Sequence, residues 1–125
     1  MKILIVDDSM LDRKLLIRTL QKAGVENEIL EAGDGQTALD ILDKEHDNIC
    51  LMFLDWQLPK IDGLEILKRV ARNPKTAALA VIMSTSTNSE EDEEIARLLN
   101  PNLAAFVVKP LDPKKITDIA LSYIK

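Results

Sequence analysis

Aromatic side chains are scarce here: one tryptophan, one tyrosine and two phenylalanines, 3% of 125 residues. Any core built from this chain is therefore aliphatic. Cysteine is nearly absent as well. The single one, Cys50, excludes an internal disulfide, and its place inside an apolar run marks it as a small buried hydrophobe. There is one histidine, His46, in the polar segment Lys44-Glu45-His46-Asp47, where it reads as a solvated helix end. That excludes a Ser-His-Asp triad. Positive charge is in deficit: 16 Lys and Arg against 21 Asp and Glu leave a net charge of -5, which argues against an electrostatic nucleic-acid binder. No apolar run approaches the length of a membrane span, so no membrane is expected as a partner. The strand-like Lys2-Ile3-Leu4-Ile5-Val6 begins at once, where a signal peptide would need a longer apolar region and a cleavage site. A reducing cytoplasm is the simplest home for such a chain. Neither a low-complexity linker nor an internal repeat interrupts it.

What is present is a run of apolar segments that end abruptly in polar residues. The length suits one domain spanning residues 1–125, and 46% apolar residues suffice for a self-sufficient core. The organising stretch is Leu51-Met52-Phe53-Leu54-Asp55-Trp56-Gln57-Leu58-Pro59-Lys60-Ile61-Asp62-Gly63. Its apolar part, residues 49–54, is too short for a helix and reads as a strand buried on both faces. Asp55 then sits at the carboxyl end of a central strand, the edge where open α/β sheets bind ligands. The other predicted strands are residues 3–6, a short and more exposed 28–32, 80–83 and 104–108.

Helix signals lie between them. Ser9 caps a first helix with Asp12 at capping-box spacing, and Leu15, Leu16, Thr19, Leu20 and Ala23 share its inner face up to Gly24. Asp34 caps a second helix that buries Ala38, Ile41 and Leu42. Asp62 and Glu65 form another capping box, and Leu64, Leu67, Val70 and Ala71 line a helix stopped by Asn73-Pro74. Asn88 or Ser89 caps a fourth helix whose first turn, residues 90–94, is acidic; it complements the helix dipole and forms a solvated face. Asn100-Pro101 ends it. Asp112-Pro113 starts a last helix that runs to about Ile124. Five strands alternating with five helices predict a doubly wound parallel sheet with helices on both faces.

Four strands then deliver Asp7-Asp8, Asp55, Ser84-Thr85 and Lys109 to one edge. Alone, Lys109 would read as a surface lysine and Thr85 as a β-branched strand residue; the convergence is what argues for a site. Two carboxylates 4 Å apart repel by roughly 4 kcal/mol at an effective dielectric of 20, a cost that a divalent cation removes. All-oxygen ligands favour a hard ion, and Mg²⁺ uses one or two carboxylates with phosphate oxygens. A nearby lysine and hydroxyl are what a phosphoryl group needs for its oxygens. The residues therefore suggest Mg²⁺-assisted phosphoryl binding with a carboxylate available as nucleophile.

Here the chain resembles the response-regulator receiver domain, the CheY-like family of two-component signalling. The residues that carry the resemblance are Asp7-Asp8, Asp55 with Leu58-Pro59 and Asp62-Gly63, Ser84-Thr85, and Phe106-Val107-Val108-Lys109-Pro110. The resemblance implies a flavodoxin-like fold with strand order 2-1-3-4-5. It implies Asp55 as phosphoacceptor, Mg²⁺ held by Asp8, Asp55 and the Gln57 backbone carbonyl, and Asp7 acting through water. It also implies Thr85 bonding the new phosphoryl group, Lys109 pairing with Asp55 and then with a phosphoryl oxygen, and Phe106 as a switch aromatic that turns inward when Thr85 moves. Such a protein is a phosphoacceptor switch, not an enzyme in the ordinary sense. It would take its phosphoryl group from a sensor histidine kinase or histidine phosphotransfer protein. It would then act, as a monomer or weak dimer, through a face made by the fourth helix, fifth strand and fifth helix. With no output domain expected after the last helix, it would dock on a separate output protein or relay the group.

Two other classes fit less well. A haloacid-dehalogenase-type phosphohydrolase carries a second acid two residues after its aspartyl nucleophile, where this chain has Gln57. A flavodoxin-like FMN carrier wants a Ser/Thr/Gly phosphate loop where this chain has Asp7-Asp8.

Overall fold

The apolar runs become the strands of a single parallel sheet. The computed structural model describes residues 1–87 and 89–124. In chain order the elements are β1 (Lys2–Val6), α1 (Met10–Lys22), β2 (Ile29–Ala32), α2 (Gly35–Glu45), β3 (Ile49–Asp55), α3 (Gly63–Arg72), β4 (Ala80–Thr85), α4 (Glu90–Leu99), β5 (Leu103–Val108) and α5 (Pro113–Leu121), with a 3-10 turn at His46–Asn48. The strand order is β2-β1-β3-β4-β5 with every pairing parallel. The five-helix, five-stranded expectation holds, and all seven residues of β3 are buried.

Strand side chains alternate between two cores. Leu4, Val6, Met52, Leu54, Val81 and Met83 face the layer of α2, α3 and α4. Ile3, Ile5, Leu51, Phe53, Ile82 and Val107 face the layer of α1 and α5. Each fully buried Leu or Ile contributes about 1.5–3 kcal/mol, so the sheet is anchored mainly by aliphatic side chains, with Phe53 the one buried aromatic among the described residues.

Helix starts follow the caps read in the sequence. Ser9, Asp34, Asp62, Ser89 and Asp112 each accept a backbone N–H with their side chain. Asn88, the alternative cap of α4, lies outside the described residues. The capping boxes are only half made. Asp12 and Glu65 do not return to their caps; Asp12 reaches Lys109, and Glu65 pairs with Lys68 and Arg69. A carboxylate within reach of a cation prefers that charge-assisted bond to a neutral N–H. Gly24 ends α1 at φ +91°, the left-handed conformation that favours glycine.

Three other details differ from expectation. Leu15 is half exposed, because α1 buries only the narrower stripe of Leu16 and Leu20. In α3, Ile66 is buried with Leu67 and Val70, whereas Leu64 and Ala71 sit at the margin. Helix α5 stops at Leu121, capped by Ser122, short of Ile124.

The order of the sheet reverses between β1 and β3, which opens a crevice at their carboxyl ends. Gly63 secures the far wall of that crevice. Its N–H donates to the Trp56 carbonyl at 2.8 Å, and a Cβ at this position would overlap the Asp55 carbonyl oxygen and press the Trp56 Cα. We expect Gly63→Ala to lower stability in urea by about 1–3 kcal/mol, as overpacking does. An unchanged denaturation midpoint would show that α3 can recede from Asp55 without cost.

Candidate functional site

Asp55 and Thr85 are the last residues of β3 and β4, Asp7 and Lys109 lie one step beyond β1 and β5, and backbone bonds extend the sheet ladder to hold this edge in place. The Asp7 N–H bonds the Ala32 carbonyl at 3.0 Å, the Trp56 N–H bonds Ser84 at 2.8 Å, and the Lys109 N–H bonds Thr85 at 2.8 Å. Asp7, Asp55 and Lys109 are therefore fixed by backbone pairing before any side-chain contact is counted.

The predicted acids meet. Asp7, Asp8 and Asp55 offer carboxylate oxygens that all lie within 4.8 Å of one another. Asp7 and Asp55 are buried, while Asp8 is exposed and open to solvent. Asp7 Oδ1 accepts the Ser9 N–H at 2.9 Å, and Asp55 Oδ1 accepts the Gln57 N–H at 3.4 Å. Lys109 spans the cluster. Its Nζ donates to Asp7 Oδ2 at 2.7 Å, Asp12 Oδ2 at 3.0 Å and Asp55 Oδ2 at 3.2 Å.

Burial pushes the Asp55 carboxyl above the usual range; the Lys109 charge opposes this, the Asp7 charge adds to it, and the Lys109 and Gln57 hydrogen bonds do not reverse it. For Lys109, burial alone would lower the pKa. Hydrogen bonds to Asp7 and Asp12, with the charges of Asp55 and Asp7, outweigh burial and hold the ammonium well above its ordinary value. The two partners are unequal because the lysine collects three carboxylates, whereas Asp55 holds only a share of one lysine. All-oxygen, closely spaced and partly open to water, the acidic group fits a hard divalent ion such as Mg²⁺.

Thr85 sits at the end of β4, almost wholly buried, with its hydroxyl bonded to Thr87 Oγ1 at 3.1 Å. Ser86 Oγ reaches Gln57 Oε1 at 3.5 Å, linking the segments that follow β4 and β3. Phe106, on β5, is half-buried and meets Trp56 edge to face, ring centroids 6.1 Å apart.

Two residues that sequence reasoning missed complete the site. Asp12 stands at capping-box spacing from Ser9, a local pattern that gives no sign of its contact with Lys109. Arg13 had no motif at all; its Nη1 donates to the Asp7 carbonyl at 2.6 Å and its Nε to Glu31 Oε1 at 3.0 Å, so the β1–α1 turn is braced from β2. The only available signal was Glu31, an acid inside a predicted strand.

A family model described as the response regulator receiver domain matches residues 3–121. The chain belongs to the response regulator receiver family. A chemotaxis protein CheY homolog of Campylobacter jejuni is 32% identical over 118 residues, covering 94% of this chain and 88% of that protein. The chemotaxis protein CheY4 of Vibrio cholerae superposes with a TM-score of 0.84 at 26% identity, covering 98% of each chain. The Mn²⁺-bound form of the response regulator Rcp1 gives 0.79 at 27% identity, covering 97% of this chain and 89% of that one. Receiver domains act in two-component signalling: they bind Mg²⁺ at an acidic pocket, take phosphoryl groups from histidine kinases and act on output partners, as switches and not as classical enzymes. In this receiver, no helix among the described residues is long and apolar enough to cross a membrane.

The raised pKa of Asp55 has a sign. At neutral pH its buried charge opposes folding, and that cost is relieved as pH falls through the raised folded-state value. In chelator, Asp55→Asn should therefore raise Tm at pH 7 by a few degrees, the shift that roughly 1 kcal/mol makes in a domain of this size. The gain should vanish toward acid pH. A lower Tm for Asp55→Asn at pH 7 would show that the Lys109 pairing outweighs burial.

Proposed function

We propose that this receiver accepts a phosphoryl group on Asp55 from the phosphohistidine of a sensor histidine kinase or histidine phosphotransfer protein, and that all of residues 1–125 serve this one unit. The observation that carries the reading is the meeting of Asp7, Asp8 and Asp55 with the Lys109 ammonium at the carboxyl edge of the sheet. In the transfer, an Asp55 oxygen lone pair forms the new P–O bond. The bond from phosphorus to the donor breaks, and its electron pair leaves with the donor. Lys109, 3.2 Å from Asp55, stays charged throughout and pairs with a phosphoryl oxygen. The Thr85 hydroxyl, released from Thr87, takes another. Asp8, Asp55 and the Gln57 carbonyl would hold Mg²⁺ directly, with Asp7 acting through water. When bound, the ion neutralises the carboxylates and the developing phosphoryl charge.

The experiment is labelling with acetyl phosphate, read by intact mass. One phosphoryl group should add in Mg²⁺ and none in chelator. Asp55→Asn should abolish the label; labelling that persists in that variant would sink the assignment.

Signal output follows from the same charge. Phosphorylation adds nearly two negative charges at Asp55. Movement of Thr85 toward them vacates space beside β4, and Phe106, paired with Met83 in the β4–β5 register, is the adjacent aromatic able to fill it. The output surface is then the face of α4, β5 and α5, where Ile95, Leu98 and Val108 are exposed. Through that face the protein would bind an output partner or relay the group, within the cytoplasm, as a monomer or weak dimer. Thr85→Ala should still accept phosphate yet leave amide exchange at residues 89–108 unchanged on adding beryllofluoride. Protection equal to that of the unmodified protein would exclude this coupling route.

A further inference from the structure

An ammonium has three protons to donate, and here three carboxylates receive them. The contact with Asp55, at 3.2 Å, is the longest; Asp7 at 2.7 Å and Asp12 at 3.0 Å lie closer. The three acids are not alike. Asp7 and Asp55 are buried at strand ends and held by their own backbone bonds. Asp12 stands in the first turn of α1 with its side chain 41% exposed, so only it can turn out to water at little cost. Its backbone N–H, not its carboxylate, serves the Ser9 cap, so the helix start does not need the charge.

We propose that Asp12 is a positioning residue for Lys109: it draws the ammonium toward the α1 rim, slows phosphoryl transfer to Asp55 and weakens the phosphorylated state. The inference rests on the phosphoacceptor reading of Asp55. The transfer is the one already written, in which the Asp55 oxygen gains phosphorus and the donor departs with the electron pair. Lys109 can serve the phosphoryl oxygens fully only by letting go of Asp12. Loss of the Asp12 charge removes that competitor before the reaction begins. Because the Asp12 side of the pair is partly exposed and screened by water, the effect belongs to the range of a single surface ion pair, about two- to fivefold in rate.

The test compares the unmodified chain with Asp12→Asn and Asp12→Glu in saturating Mg²⁺. Intact mass follows labelling of Asp55 and, after removal of the donor, loss of the label. Acetyl phosphate, a dianion, and phosphoramidate, a monoanion near neutral pH, serve as separate donors. Asp12→Asn should label about two- to fivefold faster with both donors and keep the label longer. Asp12→Glu, which retains the carboxylate, should stay near the unmodified rate. A rate unchanged or lowered in Asp12→Asn overturns the proposal. So does an acceleration confined to acetyl phosphate, which would mean that Asp12 repels the donor directly instead of acting through the lysine. If the unmodified chain takes no label at Asp55, the phosphoacceptor reading fails first, and this inference falls with it.

Discussion

One ammonium among three carboxylates sets the terms for everything around it. Asp7, Asp12 and Asp55 all bond the Lys109 Nζ, and Asp8 stands beside them. Each pair of acids repels by roughly 4 kcal/mol at 4 Å and an effective dielectric of 20. A single lysine cannot cancel that charge, so the site is left anionic and in need of further cation. The same deficit makes it responsive: an added metal or phosphoryl group changes the balance among groups already in contact. Lys109 is the element that all of these equilibria share.

Holding such a cluster together takes a rigid frame, and the frame is backbone. The ladder bonds from Asp7 to Ala32, Trp56 to Ser84 and Lys109 to Thr85 continue the sheet past its regular end. Arg13 clamps the Asp7 carbonyl, with Glu31 as its counter-charge; Lys14, then Arg13, hold that carboxyl below the usual range. Gly63 lets α3 pack directly on the Asp55 peptide. On the other side of the sheet centre, Asn100 is wholly buried, its amide donating to the Leu67 carbonyl at 3.4 Å and its Oδ1 accepting from Asn102 N–H at 2.9 Å. That asparagine ties the end of α4 to α3. The repelling charges are thus mounted on parts that yield little.

The main lines of this arrangement were legible because parallel strands write themselves as continuous apolar runs. Where a run breaks off into Asp7, Asp55 or Lys109, the break locates the sheet edge, and strand direction alone brings those residues together. What stayed hidden depended on side-chain reach between elements distant in sequence. Asp12 and Lys109 are 97 positions apart, and the local capping pattern supplied a nearer explanation for the acid. Asn100 read as a helix stop, since nothing local shows that its amide is buried. Leu15 fitted the helical period but falls beyond the edge of the stripe that α5 covers. Local pattern specifies which face a residue is on, whereas packing decides how wide that face is.

The placement of Trp56 carries a practical consequence. It is the only tryptophan in the chain, it directly follows Asp55, and its ring lies edge to face with Phe106. Its peptide is held on both sides, by Ser84 and by Gly63, so the backbone that carries the indole is fixed beside the acidic cluster. Light emitted by this protein under indole excitation therefore comes from one ring, one residue from the acidic cluster and in contact with β5. The molecule contains its own optical gauge, free of background from other tryptophans, for changes at the cluster and for displacement of the Phe106 ring.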